Sequence, residues 1–232
     1  MIGGKWGTGG EWGIVLLSLK VSALAIMGTL PVAFALAWVL ARRRFFGAVV
    51  LDAAVHLPLV LPPVVTGWLL LLMFGAHGFA GRWLAAIGIT VMFRWTGAAL
   101  ASAIMALPLM VRAIRLSLEA IDGRLETAAR TLGAEPWRVF RTITLPLAMP
   151  GVLAGLILGF ARSLGEFGAT ITFVSDIPGE TETLPLAIYA ALQVPGADDR
   201  VMRLALIAVA LSFGALIASE WLARRMGRRG VV

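Results

Sequence analysis

Three stretches of this chain, Val21 to Ala41, Ala53 to Ala76 and Thr142 to Ala161, contain no Lys, Arg, Asp or Glu. Twenty apolar residues wound as a helix span roughly 30 Å, the thickness of a bilayer's hydrocarbon core. In that medium every backbone N–H and C=O must find its partner inside the protein, as a helix does along its own length. Two shorter runs, Trp95 to Val111 and Leu204 to Ser219, end in Arg94, Arg112, Arg203 and Glu220, which can snorkel to the interface. The expectation is an all-α polytopic membrane protein with five spanning helices. A length of 232 residues would also allow one or two soluble domains, but 59% hydrophobic and 14% charged residues exclude them. The first run is longer than a signal-peptide core and no basic n-region or A-x-A site frames it, so it should stay in the mature protein.

Orientation follows from the basic residues in alternate connections. Arg42, Arg43 and Arg44 follow the first run. Arg112, Arg115, Arg124, Arg130, Arg138 and Arg141 lie between the third and fourth, and Arg224, Arg225, Arg228 and Arg229 end the chain. Together they make 13 of the 20 Lys and Arg, whereas the opposite connections hold Lys5, Arg82, Arg94, Arg200 and Arg203. The basic side should be the cytoplasm, with the N-terminus outside and the C-terminus in. The net charge of +7 is then a topology signal, and nucleic acid is not an implied partner. Trp38, Trp137 and Trp221 fall near the basic boundary and Trp12, Trp83 and Trp95 near the other, as an interfacial belt against lipid would.

One connection carries more than charge. Residues 125–146 read LETAARTLGAEPWRVFRTITLP. Glu126 to Leu132 is rich in good helix formers, with an acid in its first turn and Arg130 near its end, as the helix dipole favours. Gly133 stands where a C′ residue with positive φ is needed, and Pro136 suits the first turn of a second helix. A helix–glycine–helix knob on a membrane protein is a shape suited to docking.

Ala128, Ala129 and Gly133, followed by Ile143, Leu145 and Pro146, resemble the "EAA loop" of binding-protein-dependent ABC importer permeases. The spacing matches: three residues separate Ala129 from Gly133, and nine separate Gly133 from Ile143. Thr127 stands where the pattern has its Glu, and the acid is one place earlier at Glu126, which leaves the role of Glu126 open. The resemblance implies a single permease domain over residues 1–232, in the type I importer arrangement, with an ATPase-docking loop at about 112–146. Glu126, Ala128, Ala129, Gly133, Ile143, Leu145 and Pro146 would form the docking element.

Two apolar runs are broken by residues that helices in lipid usually avoid. Pro58, Pro62 and Pro63 interrupt the second. Pro146, Pro150, Gly151, Gly155 and Gly159 crowd the fourth, the last three glycines repeating at i, i+4 on one face. Such breaks suit a pathway between helices, and the glycine stripe suits close helix packing equally well. Arg162 and Glu166 are also four apart and able to pair, and intramembrane charges usually face a cavity or a partner. With Pro62 and Pro63 they form the candidate pathway or gate, a simple orienting ion pair being the alternative.

The stretch around that pair, ARSLGEFGATITFVSDIPGETETLP, is similar to the molybdate permeases, as are HLPLVLPPVVTG and PLMVRAIRLSLE upstream. This similarity implies a pathway for molybdate, with tungstate or sulfate as neighbouring possibilities, in a bacterial inner membrane. It also implies the partners: two ATP-binding cassette subunits, a second copy of this chain and an extracytoplasmic molybdate-binding protein.

Catalytic motifs are missing from the sequence. His56 and His77 stand in different regions with no H-x-x-x-H or H-E-x-x-H pattern, there are no cysteines, and Lys5 and Lys20 fit no P-loop. No metal or cofactor is expected, and the energy for uphill transport must come from a partner. A membrane enzyme or scaffold is the competing class. The acids it would need, Asp176, Glu180, Glu182, Asp198 and Asp199, read as scattered through loop-like sequence.

Overall fold

The computed structural model describes residues 10–43 and 45–227, without the side chains of 216 and 218–227. The expectations for Lys5, Arg44, Arg228 and Arg229 lie outside the described residues, as do those for the side chains of Glu220, Trp221, Arg224 and Arg225. The described residues form helices and connections, with no strand among them.

Helix α1 (Glu11–Arg42) extends the first apolar run at both ends, with Glu11 in its first turn and Arg42 in its last, each favourable to the helix dipole. The second run is not one rod. It breaks into α2 (Ala48–Val60) and α3 (Pro63–Phe74), bent by 114°. The cause is in the sequence: the carbonyls of Pro58 and Leu59 would take N–H bonds from positions 62 and 63, and both are prolines. Leu61 N still donates to Leu57 O at 3.0 Å, and then Val65 N and Thr66 N both turn to Pro62 O at 2.9 and 3.3 Å. At this elbow Pro62 and Pro63 are exposed on the chain's own surface.

After α4 (Phe79–Ala86), α5 (Trp95–Glu119) passes through the middle of the bundle. It is followed by α6 (Gly123–Thr131), α7 (Pro136–Val139), a π-helical segment Phe140–Thr144 and α8 (Leu145–Leu164). Two short helices, α9 (Gly168–Val174) and α10 (Leu184–Leu192), precede the terminal α11 (Asp198–Gly227). Among the described residues three helical stretches are long and apolar enough to cross a membrane: Glu11–Arg42, Trp95–Glu119 and Pro136–Leu164. The bent α2–α3 pair makes a fourth if it counts as one span. The fifth run lies within α11.

The core is built from small residues that let backbones approach. Ala33 and Ala37 of α1, Ala106 of α5 and Ala148 of α8 are fully buried together with Met110, Ile114 and Leu118. The glycine stripe belongs here. A Cβ at Gly151 would lie 2.7 Å from Ala113 O, and one at Gly159 would lie 2.9 Å from Met110 Sδ and 3.0 Å from Ile26 Cδ1. Gly151 N also donates to Ser117 Oγ at 3.2 Å. Of the two uses left open for the stripe, the structure gives it helix packing of α8 on α5. Gly151→Leu should therefore force the two helices apart and destabilise the detergent-solubilised protein by at least about 1–3 kcal/mol, read as a lower thermal unfolding midpoint. A variant as stable as the parent would remove this packing role.

Candidate functional site

The knob forms as the sequence requires, starting earlier than expected. Asp122 caps α6, its carboxylate accepting from Arg124 N at 2.9 Å, so the helix opens at Gly123. At the other end Gly133 adopts φ +84°. Ala134 N then reaches back to Ala129 O and Gly133 N to Arg130 O, both at 3.0 Å. This pair of bonds satisfies the last carbonyls of α6 and needs the left-handed conformation that glycine adopts freely. Pro136 opens α7, as expected, and the chain then runs through the π-helical segment into α8 without a break.

Helix α6 buries no residue, and large apolar side chains stay uncovered around it: Leu132 is 88% exposed and Trp137 63%. Ala128 and Gly133 are exposed, Ala129 half-buried. Ile143 and Leu145 are half-buried and Pro146 exposed, where the π-helical segment passes into α8. The second half of the knob, from Pro136, is therefore the end of a helical stretch long and apolar enough to cross a membrane, and α6 is joined to it by the turn at Gly133.

Glu126 has a definite place. Its Oε1 accepts from Arg42 Nη2 at 2.9 Å and from Thr144 Oγ1 at 2.7 Å. Arg42 ends α1, and Thr144, almost wholly buried, ends the π-helical segment. Beside this junction Phe140 stacks on Trp137 and meets Trp38 edge to face, and the Arg42 guanidinium lies 5.8 Å from the Trp38 ring. The sequence marked Arg42 as a topology charge and Thr144 not at all. Their convergence on Glu126 crosses separations of 84 and 18 residues, which no local pattern reports.

The candidate pathway residues also meet. Arg162 Nη1 lies 2.6 Å from Glu166 Oε2; the oxygen is off the N–H directions, so this is an ion pair by distance rather than a directed hydrogen bond. The other oxygen, Glu166 Oε1, accepts from Ala169 N at 2.8 Å and caps α9. Glu166 is buried and Arg162 is a quarter exposed. Next to them α9 presses on the elbow: a Cβ at Gly168 would come within 2.7 Å of Pro63 Cβ, and one at Gly67 within 2.6 Å of Ala169 O. Pro63, Arg162 and Glu166 are thus linked through α9, and Pro62 lies one residue outside that contact.

Two acids expected to be scattered, Asp176 and Glu182, come together with Arg200. Asp176 and Glu182 lie in the connection between α9 and α10, and Arg200 Nη2 approaches Glu182 Oε1 at 3.3 Å. Burial pushes the Asp176 carboxyl up from the ordinary carboxylate range, with the Arg200 charge pulling the other way. Burial also raises Glu182, the Asp176 charge adds to that rise, and Arg200 opposes it. Thr181 is buried and pins the turn, accepting from Ile177 N and donating to Ser175 O, both at 2.8 Å. By contrast, a hollow beside α1 and α5, lined by Leu24, Val32, Ala99 and Leu107, is apolar apart from Thr29 and Thr96 and offers an anion no charge.

The described residues form a bundle of apolar helices with one sharply bent helix pair and a projecting knob. The chain belongs to the family described as binding-protein-dependent transport system inner membrane component, whose model matches residues 29–228. Among its relatives, the Molybdenum transport system permease protein ModB of Haemophilus influenzae is 57% identical over 220 residues, covering 94% of this chain and 96% of that one. The ModB of Escherichia coli K12 is 59% identical over 215 residues, covering 92% and 94%. The fold is similar to that of a solved bacterial ABC transporter involved in the import of the acidic polysaccharide alginate. There the TM-score is 0.73 at 19% identity, over 94% of this chain and 80% of that one. The chain is accordingly a multi-pass membrane component of a transport system and not its ATPase.

Proposed function

We propose that this chain is the permease of an importer that carries molybdate inward, and that it couples to separate ATP-binding subunits through the knob at residues 123–146. The observation that carries the coupling is continuity. From Pro136 on, the exposed knob runs through the π-helical segment into α8 with no loop to absorb a push. Ala128, Ala129, Gly133, Ile143, Leu145 and Pro146 form the docking face and its root. Molybdate as cargo is supported by the similarity to the two ModB proteins.

Five spans, with α11 the fifth and the basic ends in the cytoplasm, complete the topology. Two copies of the chain enclose the route, each ATPase holds one knob, and an extracytoplasmic binding protein delivers the anion. When ATP draws the two ATPases together, the knobs approach and the bundles rock as rigid bodies about the route. Arg162, kept from trapping the anion by Glu166, lends positive potential near the elbow.

The functional test uses the chain reconstituted with its ATPase and binding protein. Molybdate should stimulate ATP hydrolysis and be taken up; stimulation by sulfate with none by molybdate would reassign the cargo. Topology has its own test in this cysteine-free chain. Thr131→Cys should be shielded from an impermeant thiol reagent in intact cells, while Pro178→Cys on the exposed turn beside buried Thr181 should react. Labelling of both from outside would overturn the orientation.

A further inference from the structure

Knobs of this size need something to hold them at a fixed angle, and α6 has no buried residue to supply it by packing. Residues 120–122 lead in, and the turn at Gly133 leads out. What ties its body to the bundle is Glu126, whose carboxylate is turned inward, onto Arg42 and Thr144. We propose that Arg42 and Thr144 are positioning residues: by meeting on one oxygen of Glu126, they make the ends of α1 and α8 move with the docking knob. This assignment rests on the docking reading above. It also gives Glu126 a task different from touching an ATPase.

The contact is suited to carrying force. Glu126 and Arg42 are mostly withdrawn from water, their side chains 16% and 22% exposed, so the pair is less screened than a surface salt bridge. A charge-assisted bond from Arg42 and a hydroxyl bond from buried Thr144 fix the carboxylate from two sides. Trp38, braced edge-on by Phe140, lies beside the guanidinium and limits where it can go. Remove the tie and a displacement of α6 is taken up by rotation at residues 120–122 and at Gly133. With it, the same displacement reaches α1, which packs along α5 through the length of the core.

The assembled transporter in liposomes, with ATPase, binding protein and molybdate, reads the tie as molybdate taken up per ATP hydrolysed. Arg42→Gln and Glu126→Gln should each lower that ratio on the order of 5-fold or more, the scale of a typical coupling between sites. The double variant should be no worse than either single one, because both remove one interaction. Arg42→Lys, which keeps the charge, should recover most of the ratio. Thr144→Val should lower it less, and it tests the tie without leaving a charge unpaired. Through all of these the ATPase should still co-purify. An unchanged ratio in Arg42→Gln, or additive losses in the double variant, would overturn the proposal. So would release of the ATPase by Arg42→Gln, since the pair would then shape the docking face itself. The docking reading fails separately, if disrupting the knob at Gly133 leaves ATPase binding and uptake intact.

Discussion

Gly133→Val should leave the chain inserted in the membrane and strip it of its ATPase. Nothing lies within 4 Å of the Cβ this change would add, so crowding is not the cause. The cause is φ +84°, a conformation that costs a β-branched residue on the order of 1–3 kcal/mol. The strain is relieved by letting the turn go, and with it the bonds from Ala134 N to Ala129 O and from Gly133 N to Arg130 O. Helix α6 then frays at its end and α7 loses its angle to it. Because no membrane-crossing helix includes Gly133, expression and insertion should match the parent. Co-purified ATPase and molybdate uptake should fall severalfold. Gly133→Asn, which tolerates positive φ, should lie between the two. A well-expressed Val variant with full uptake would sink the docking assignment.

Glu166→Ala should be the most damaging single change at the other end of α8. It leaves Arg162 beside an emptied site and uncaps α9 at Ala169 N, for a loss of roughly 3 kcal/mol or more. The isosteric Glu166→Gln keeps an acceptor for Ala169 N and should cost less. Replacing the pair by Met and Leu removes both charges, yet still loses the cap. Assembly should therefore return only to within about 1 kcal/mol of the parent. The decisive measurement is uptake by that assembled double variant. Near-normal molybdate uptake would make the pair an anchor for α9 and nothing more. Hydrolysis of ATP with little uptake would place it on the route.

How much of this was legible beforehand follows the range of each signal. The helices could be read because apolar runs and proline breaks act locally. Pro62 and Pro63 told where the second run must fail, though not that it bends by 114°. Gly133 and Pro136 were legible because caps are matters of one residue's backbone. The 162/166 pair was legible because i, i+4 neighbours share a helix face. The Glu126–Arg42–Thr144 junction was not, and neither was the meeting of Asp176, Glu182 and Arg200, because both depend on how separate helices pack. The glycine stripe was ambiguous for a related reason. A smooth helix face is the same sequence whether another helix or a solute lies against it, and only the positions of Met110, Ala113 and Ile26 settle the matter.

The elbow between α2 and α3 bears on the life of the chain before it has partners. Two carbonyls, of Pro58 and Leu59, face prolines that have no hydrogen to give, and lipid has none either. Uncovered in hydrocarbon, each such group costs several kcal/mol. Wherever the bend lies at hydrocarbon depth, a copy without partners carries that penalty until protein or water covers it.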